Sequence, residues 1–375
     1  DDCLSEARMI ADAIAHRAKW QGEEAYWLGF VHNPRLDRLE FDISGTGFFD
    51  GTVGIALFLA AVDHITGESR HAHVWRRALE PLRKLGREAS QSGQLADQGI
   101  AGGIGGILFG ASHLLRYAPL EDRPWILDAC LGAVDLCDVA SARLDPRLDL
   151  LAGFAGAVAG LAALYQATGE PWVREKLVAL ADHVARGTHG ELAGSNESPV
   201  LTGMSHGASG IALALARAAQ ATGTDRFDAA IAAALAYEDS LYSDEEGNWP
   251  DLRKSEIRYL STWCHGAPGI ALARAEIAAA TGFATDGALA KALARTLETP
   301  RRTVDHLCCG ELGLVEILLS TGRRAGDQEL IEAAGRRLAR VVHEARARKG
   351  YLVFPGGLSA FHPGFFQGLS GIGYQ

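Results

Sequence analysis

Residues 207–223 read Gly-Ala-Ser-Gly-Ile-Ala-Leu-Ala-Leu-Ala-Arg-Ala-Ala-Gln-Ala-Thr-Gly, and residues 266–282 repeat the pattern as GAPGIALARAEIAAATG. Each stretch begins with Gly-x-x-Gly, continues with a run dense in Ala and Leu, and ends in Thr-Gly. Ala and Leu favour a helix, and a glycine just past a helix end can adopt the left-handed conformation that closes the last turn. Both stretches therefore predict a buried helix of about four turns.

The Gly-x-x-Gly motif occurs seven times along the chain. The pairs are Gly51/Gly54, Gly103/Gly106, Gly153/Gly156, Gly207/Gly210, Gly266/Gly269, Gly310/Gly313 and Gly368/Gly371, with first glycines 52, 50, 54, 59, 44 and 58 residues apart. This spacing is typical of a repeat architecture. In four repeats a glycine 16 residues after the first one is predicted to end the helix, namely Gly67, Gly169, Gly223 and Gly282. We expect Pro119 and Gly322 to end the second and sixth helices.

A second type of helix is predicted between successive motifs. Residues 173–187 and 328–346 carry mixed charges with apolar positions three and four apart, the pattern of an amphipathic outer helix. An open solenoid would fit the period, but the apolar character of the inner helices on nearly every side favours two concentric layers. No strong strand pattern is present, so we expect one all-α domain over residues 1–375, with an additional helix around 3–19.

Composition excludes several classes of function. A net charge of −10 and a pI near 5.7 argue against a general nucleic-acid or anionic-membrane surface. No apolar run approaches the roughly 18 residues of a membrane span, and no signal-peptide layout is present, so a cytoplasmic location is expected. Six cysteines are too few for a disulfide scaffold. We expect Cys3, Cys130 and Cys137 to act as small apolar residues, the last two within one helix.

The positions just before the motif carry the chemistry. In chain order, the residue one before the first glycine is Asp50, Gly102, Ala152, His206, His265, Cys309 and Gln367, and Cys264 and Cys308 stand two before it. If every loop opens inward in the same way, three thiols converge at one end of the ring. Three thiolates suit zinc and leave a fourth position for water or substrate. The alternative is a set of buried thiols or a vicinal disulfide between Cys308 and Cys309.

Three further residues are candidates for catalysis. His206 could transfer a proton near neutral pH or be a core histidine. His265 could be a fourth zinc ligand, a second acid or base, or a hydrogen-bond donor behind the ligands. Asp149 could orient a histidine or accept bonds from backbone amides, and its position alone favours the second role.

Three segments resemble the lanthionine synthetase C-like cyclase family: GMSHGASGI (203–211), TWCHGAPGI (262–270) and HLCCGELG (306–313). The resemblance covers nearly the whole chain and implies an α/α toroid of seven inner and seven outer helices with zinc at one end. By motif, Cys264, Cys308 and Cys309 match the zinc ligands, although Cys309 stands where the family usually has histidine. His206 matches the family's catalytic histidine and Asp149 its acidic partner. The family also has an arginine shortly before its first zinc-binding cysteine. Arg258 lies near the matching position, but its distance along the chain from Cys264 differs from the family's spacing.

The resemblance also implies an activity and partners. The expected reaction adds a cysteine thiol to dehydroalanine or dehydrobutyrine within a dehydrated precursor peptide, which forms a thioether ring. The opening segment EAYWLGF (24–30) and FFDGTVGIALFLAAV (48–62) are most similar to the cyclase domain of two-function class II synthetases. A dehydratase domain is therefore expected before Asp1, and truncation is expected in the seventh repeat.

Other functions stay open at this stage. A zinc protein prenyltransferase also uses a helical toroid and a metal-activated thiolate, but its usual spread of Asp, Cys and His is missing from the sequence. A toroid glycosidase would need paired inward carboxylates, and the motif positions supply few. A non-catalytic relative that binds a thiol peptide or glutathione through zinc would carry the same ligand residues.

Overall fold

The computed structural model describes residues 2–33, 38–85, 97–143, 145–192, 200–356 and 360–375. Outer and inner helices alternate along the chain. In order they are α1 (Asp2–His16, outer), α2 (Thr52–Thr66, inner), α3 (Ala72–Ala78, outer), α4 (Ile104–Leu114, inner), α5 (Arg123–Ala133, outer), α6 (Phe154–Thr168, inner), α7 (Pro171–Leu192, outer), α8 (Ala208–Thr222, inner), α9 (Asp228–Ser240, outer), α10 (Ala267–Thr281, inner), α11 (Asp286–Glu298, outer), α12 (Glu311–Ala325, inner), α13 (Gln328–Arg348, outer) and α14 (Leu369–Tyr374, inner). This confirms the predicted toroid of seven inner and seven outer helices.

The first helix closes the ring. α1 packs against α14 and α2, so it occupies the outer position of the last repeat. α14 begins directly after Gly368 and is the inner helix of the seventh repeat. Within the described residues, no helix combines the length and apolar character needed to cross a membrane.

Two antiparallel hairpins follow α1, and the sequence analysis did not predict them. β1 (Lys19–Gln21) pairs with β2 (Glu24–Tyr26), and β3 (Leu28–Asn33) pairs with β4 (Arg38–Ile43). The helix expected to reach residue 19 therefore ends at His16. Trp27 lies between the hairpins, is fully buried, and donates its indole N–H to the carbonyl of Ile14 at 2.8 Å. This contact fixes the hairpins onto the helical body.

Burial separates the two helix layers as predicted. All residues of α2 from Thr52 to Asp63 are buried, because outer helices cover one side and the toroid interior the other. The outer helix α13 buries one stripe, made of Leu330, Ala333, Ala334, Val341 and Ala345. The inner layer therefore forms the hydrophobic core, and the outer layer carries the charged surface.

Five of the seven inner helices have 15 residues, and this common length corrects one prediction. α12 continues through Gly322 and ends at Gly326, whose φ is 67°. Gly326 lies 16 residues after Gly310, the same interval as in the four repeats that end in Thr-Gly. α4 is shorter, since it ends at Leu114, before Pro119.

The second glycine of each motif leaves no room for a side chain. A Cβ at Gly54, Gly210 or Gly269 would lie only 2.0–2.1 Å from a carbonyl oxygen six residues earlier. The preceding loop therefore folds back onto the first turn of the inner helix. This close approach explains why the motif recurs in every repeat.

Backbone hydrogen bonds join the seven loops into a ring. In six repeats, the residue two positions before the first glycine donates its backbone N–H to the carbonyl of the equivalent residue in the next repeat. The bonds run from Phe49 to Ala101, Ala101 to Leu151, Leu151 to Ser205, Ser205 to Cys264, Cys308 to Phe366 and Phe366 to Phe49, with N···O distances of 2.7–3.1 Å. Among the described residues, only the step from Cys264 to Cys308 lacks this backbone bond; there the Cys264 thiol lies 3.7 Å from the Cys308 carbonyl.

Two of the cysteines outside the motif loops are structural. Cys130 and Cys137 are fully buried, and burial raises the pKa of each thiol to about 12. The helix expected to hold both ends at Ala133, so Cys137 follows a short 3-10 turn over Val134–Leu136. Cys3 is exposed, contrary to expectation.

Candidate metal centre

Three thiols lie close together at the step from Cys264 to Cys308, where the ring of backbone hydrogen bonds is interrupted. The Sγ atom of Cys264 lies 3.0 Å from that of Cys308 and 3.3 Å from that of Cys309, and the last two are 3.5 Å apart. All three cysteines are free, so the vicinal disulfide is wrong for this structure. Within the described residues, they are the one group of three or more His, Cys, Asp or Glu side chains arranged for a metal ion.

The loop that carries Cys264 is fixed by local bonds. Thr262 and His265 exchange backbone and side-chain bonds of 3.0–3.3 Å, which closes a tight turn around Cys264. Gly266 has φ +78°, and a Cβ there would lie 1.7 Å from the carbonyl oxygen of Leu260. Asn248 accepts the N–H of Ala267 at 2.9 Å and so anchors the start of α10. Only glycine allows this turn, which directs the thiol inward.

The loop that carries the other two thiols is fixed from its neighbours. Cys308 donates its N–H to Phe366 at 2.9 Å, and Arg302 donates Nε–H to the carbonyl of Cys309 at 3.2 Å. Arg302 is itself held through its backbone N–H, which donates to the Glu311 carboxylate at 2.9 Å. Adjacent residues 308 and 309 can therefore both direct sulfur towards Cys264.

The donor set and its size fit zinc. Tetrahedral zinc with bonds of about 2.3 Å to sulfur separates two ligand sulfurs by about 3.8 Å. The observed triangle would open by less than about 1 Å to meet this geometry. Three soft sulfur ligands favour zinc over oxygen-seeking ions such as magnesium or calcium.

The thiols differ in acidity. The S–H groups of Cys264 and Cys308 donate to the sulfur of Cys309, which holds the pKa of Cys309 well below the usual thiol range. The same bonds and burial raise the pKa of Cys308. The thiolate form is therefore favoured at Cys309, and a bound cation would also stabilise the thiolate forms of Cys264 and Cys308.

His206 and Asp149 form a pair beside the thiols. Nδ1 of His206 lies 3.2 Å from Oδ1 of Asp149, and the same oxygen accepts the N–H of Ala152 at 2.7 Å. Asp149 therefore contacts both kinds of partner considered for it, a histidine and a backbone amide. The imidazole is 28% exposed and its partner only 12%, so the histidine is the member of the pair that a ligand can reach. With Nδ1 facing Asp149, Nε2 is the nitrogen free to exchange a proton.

His265 follows Cys264 in the chain and lies beside His206. Its ring stacks on that of His206 at 6.1 Å between centroids. Burial, together with the positive charge of Arg253, lowers the pKa of His265 to about 4. It is therefore neutral at pH 7, and it lies outside the three-sulfur cluster. These properties suit a hydrogen-bond donor better than a proton source.

An aromatic layer closes the centre towards the toroid interior. Phe49 and Phe366 stack at 4.5 Å, and Trp263 lies 4.8 Å from Phe366. These rings pack with Cys264 and Cys308, and they also line a cavity of about 710 Å³ inside the inner helices. The layer separates this cavity from the thiols and gives them an apolar floor.

One charged group near the thiols, Arg253, was missed by the sequence analysis. Arg253 lies within electrostatic reach of Cys264 and Cys309, whereas Arg258 is 58% exposed and pairs with Glu256. Asp50 accepts the N–H of Gln367 at 3.2 Å in the last repeat. Arg253 lies in the long connection between α9 and α10, outside the repeated motifs, so the repeat pattern could not predict its position near the thiols.

Comparison with known proteins agrees with this architecture. The family described as lanthionine synthetase C-like protein matches residues 44–375. Among solved structures, nisin cyclase is similar with a TM-score of 0.63 and 16% sequence identity, over 89% of this chain and 88% of that chain. At this identity the structural likeness concerns the fold. No curated protein matches the chain by sequence.

Proposed function

The chain belongs to the lanthionine synthetase C-like family, and we propose that it is a zinc-dependent cyclase that forms thioether rings in a dehydrated precursor peptide. The observation that carries the proposal is the cluster of three thiols, 3.0–3.5 Å apart, beside an imidazole paired with a carboxylate. The proposed partners are the precursor peptide and, as in the two-function synthetases that the opening segment resembles, a dehydratase domain.

Cys264, Cys308 and Cys309 are the proposed ligands. Zinc held by three thiolates would keep one position for a substrate thiol and would favour its thiolate form near neutral pH, where a free thiol of pKa about 8.5 is mostly protonated. The rings of Phe49 and Phe366, which pack with Cys264 and Cys308, would limit the access of water to a bound zinc ion. An apolar surrounding strengthens the electrostatic interactions of the site.

His206 is the proposed proton carrier. In the reaction the substrate S–H bond breaks, a C–S bond forms at the β-carbon, and the electrons of the C=C bond move to the carbonyl oxygen as an enolate. A proton then reaches the α-carbon, so the reaction consumes and releases no net proton. Nε2 of His206 can accept the thiol proton and return it to the α-carbon. Asp149 stabilises the imidazolium formed between the two transfers.

His265 completes the proposed site. Neutral His265 can donate one hydrogen bond to the substrate without competing for the transferred proton.

The test is turnover of a synthetic peptide with one dehydroalanine and one cysteine, followed by mass spectrometry after thiol alkylation. We expect ring formation well above the rate without enzyme, and a loss of about 10²–10⁴-fold in His206→Asn, in line with removal of a general acid or base. Zinc content should be unchanged in this variant. Full cyclisation by His206→Asn would assign the proton transfer to another group.

The same assay separates the cyclase from the binding protein considered above. Zinc-dependent binding of the peptide without turnover by the wild-type protein would contradict the cyclase and support a thiol-binding relative. Turnover that survives complete zinc removal by a chelator would contradict the metal centre.

A further inference from the structure

Two arginines at the site are held in the same way by an aspartate two residues earlier. In Asp145-Pro-Arg147, Nε donates to the carboxylate at 2.8 Å and Nη2 bonds its other oxygen. In Asp251-Leu-Arg253, the same two bonds measure 2.9 and 2.7 Å. The arginine N–H also donates to the aspartate at 3.2 Å in both segments.

These bonds orient each guanidinium without joining distant parts of the fold. A pair two residues apart bridges no separate elements, and partly exposed ion pairs stabilise proteins little. The bonds use one edge of each guanidinium, formed by Nε and Nη2. Within the described residues, no partner is recorded for Nη1 of Arg147 or Arg253. Each arginine therefore presents a pre-oriented edge with N–H donors.

The two arginines lie near different parts of the proposed reaction centre. Arg147 is within electrostatic reach of Asp149, the partner of His206. Arg253 is within reach of Cys264 and Cys309. Their side chains are 50% and 41% exposed, so a ligand can reach both.

We propose that Arg147 and Arg253 bind backbone carbonyl groups of the substrate peptide, Arg147 near the Asp149–His206 pair and Arg253 near the thiols. This inference rests on the proposed cyclase function. A carbonyl oxygen accepts two N–H groups from a fixed guanidinium edge, and the peptide backbone supplies this acceptor whatever its side chains are. Because the arginines are fixed before the substrate arrives, less conformational entropy is lost on binding. Their role is to position the peptide, with no part in the bond-forming step.

The chain offers a matched control in the same connection. Arg258 also pairs with an acid two residues earlier, Glu256, with Nε and Nη2 bonds of 3.2 and 2.6 Å. This pair is 58% and 73% exposed, and among the described residues the Arg258 side chain bonds Glu256 alone. Its backbone carbonyl accepts the N–H of Asp251 at 2.6 Å, a bond that a side-chain substitution leaves in place. Arg258→Gln removes the same charge from the same segment.

The experiment compares Arg147→Gln, Arg253→Gln, the double variant and Arg258→Gln as zinc-loaded proteins. Binding is measured by fluorescence anisotropy with a labelled peptide that carries alanine in place of dehydroalanine, so that it cannot react. Turnover is measured with the dehydroalanine peptide. We expect each single variant to weaken binding and raise KM about fivefold to tenfold, with kcat within about twofold, and the double variant to combine both losses. Arg258→Gln should match the wild type.

Two results would overturn the inference: wild-type Kd and KM in the double variant, or an equal loss in Arg258→Gln, which would indicate a general charge effect. Thermal unfolding is recorded for each variant, and a fall in Tm that matches the loss of binding would likewise assign the arginines to the fold. A wild-type protein that binds the unreactive peptide through both arginines but forms no ring would contradict the cyclase function while supporting the peptide site.

Discussion

The fourth to sixth repeats have the same backbone structure as the other four repeats, but they carry different side chains in the loop before the glycine pair. Every repeat has the same glycine pair, and six of seven steps around the ring are joined by a backbone bond. The fourth to sixth repeats carry His206, His265 and the three thiols just before the glycines, where the others carry residues such as Gly102 and Ala152. The candidate site therefore lies in loops that keep the repeated backbone but carry different side chains. It includes the step at which a thiol contact replaces the backbone hydrogen bond.

The largest expected effect concerns the thiols themselves. Cys309→Ala removes the ligand that is least buried of the three, so the fold should survive while zinc binding falls at least 100-fold and ring formation is lost. Elemental analysis of the purified protein should give about one zinc per chain for the wild type and far less for the variant.

Cys130→Ala is the matched control for this measurement. Cys130 is a fully buried cysteine in α5, far along the chain from the cluster, so its loss should lower stability but leave zinc unchanged. If Cys309→Ala retained full zinc, the distinction between structural and chemical cysteines would be wrong.

The second effect tests the shared backbone. In the second repeat, which carries no chemistry, a Cβ at Gly106 would lie 2.0 Å from the carbonyl oxygen of Ile100. Gly106→Ala should lower the free energy of unfolding by roughly 3 kcal/mol, because backbone atoms must move. Gly335→Ala in the outer helix α13 meets no atom within 4 Å and should raise it by up to about 1 kcal/mol. Urea denaturation of both variants checks the contrast; equal effects would mean that the glycine pair is not a structural requirement.

The repeat pattern made most of the fold predictable from sequence. Glycine pairs and apolar runs located the inner helices, and their common length was visible in four repeats. Gly322 misled the analysis because it follows a threonine, as the true ends do. The helix continues because Gly322 packs closely against Leu330 of α13, where a Cβ would come within 2.9 Å. The interval of 16 residues, which points to Gly326, was the better signal.

The site was predictable only where it follows the repeat. Cys264, Cys308 and Cys309 were expected to converge from their positions before the glycines, and the structure brings them together. Arg253 lies in an irregular connection whose path no periodicity describes, so only the structure locates it near the thiols. The hairpins over residues 19–43 were missed for a related reason, since two-stranded units are short and weakly patterned.

A third prediction tests how the reactivity of the centre changes when a nitrogen ligand replaces the sulfur at position 309. Cys309→His replaces a thiolate by a neutral imidazole, so the charge of the ligand set falls by one unit. We expect zinc to remain bound, and ring formation to slow by about tenfold, because a less electron-rich centre holds the substrate sulfur more tightly and leaves it less nucleophilic. Zinc content and single-turnover rates, measured on the same preparation, separate this result from loss of the metal. An unchanged or faster rate would contradict a role for the third thiolate in reactivity.

The smallest effect compares two buried histidines. His265 at the site has a lowered pKa, whereas the pKa of His71 is raised: burial alone would lower it, but bonds of 2.8 Å to Asp63 and 3.0 Å to Asp12 outweigh burial. A raised folded-state pKa stabilises the fold fully below the unfolded value of about 6.5, and this contribution disappears as pH rises through the folded value. The stability difference between wild type and His71→Gln should therefore be larger at pH 5.5 than at pH 8.5, by at most about 1 kcal/mol because Asp12 is partly exposed. Urea denaturation at both pH values measures it. A difference that is independent of pH would show that His71 joins α1 to the inner layer as a neutral group.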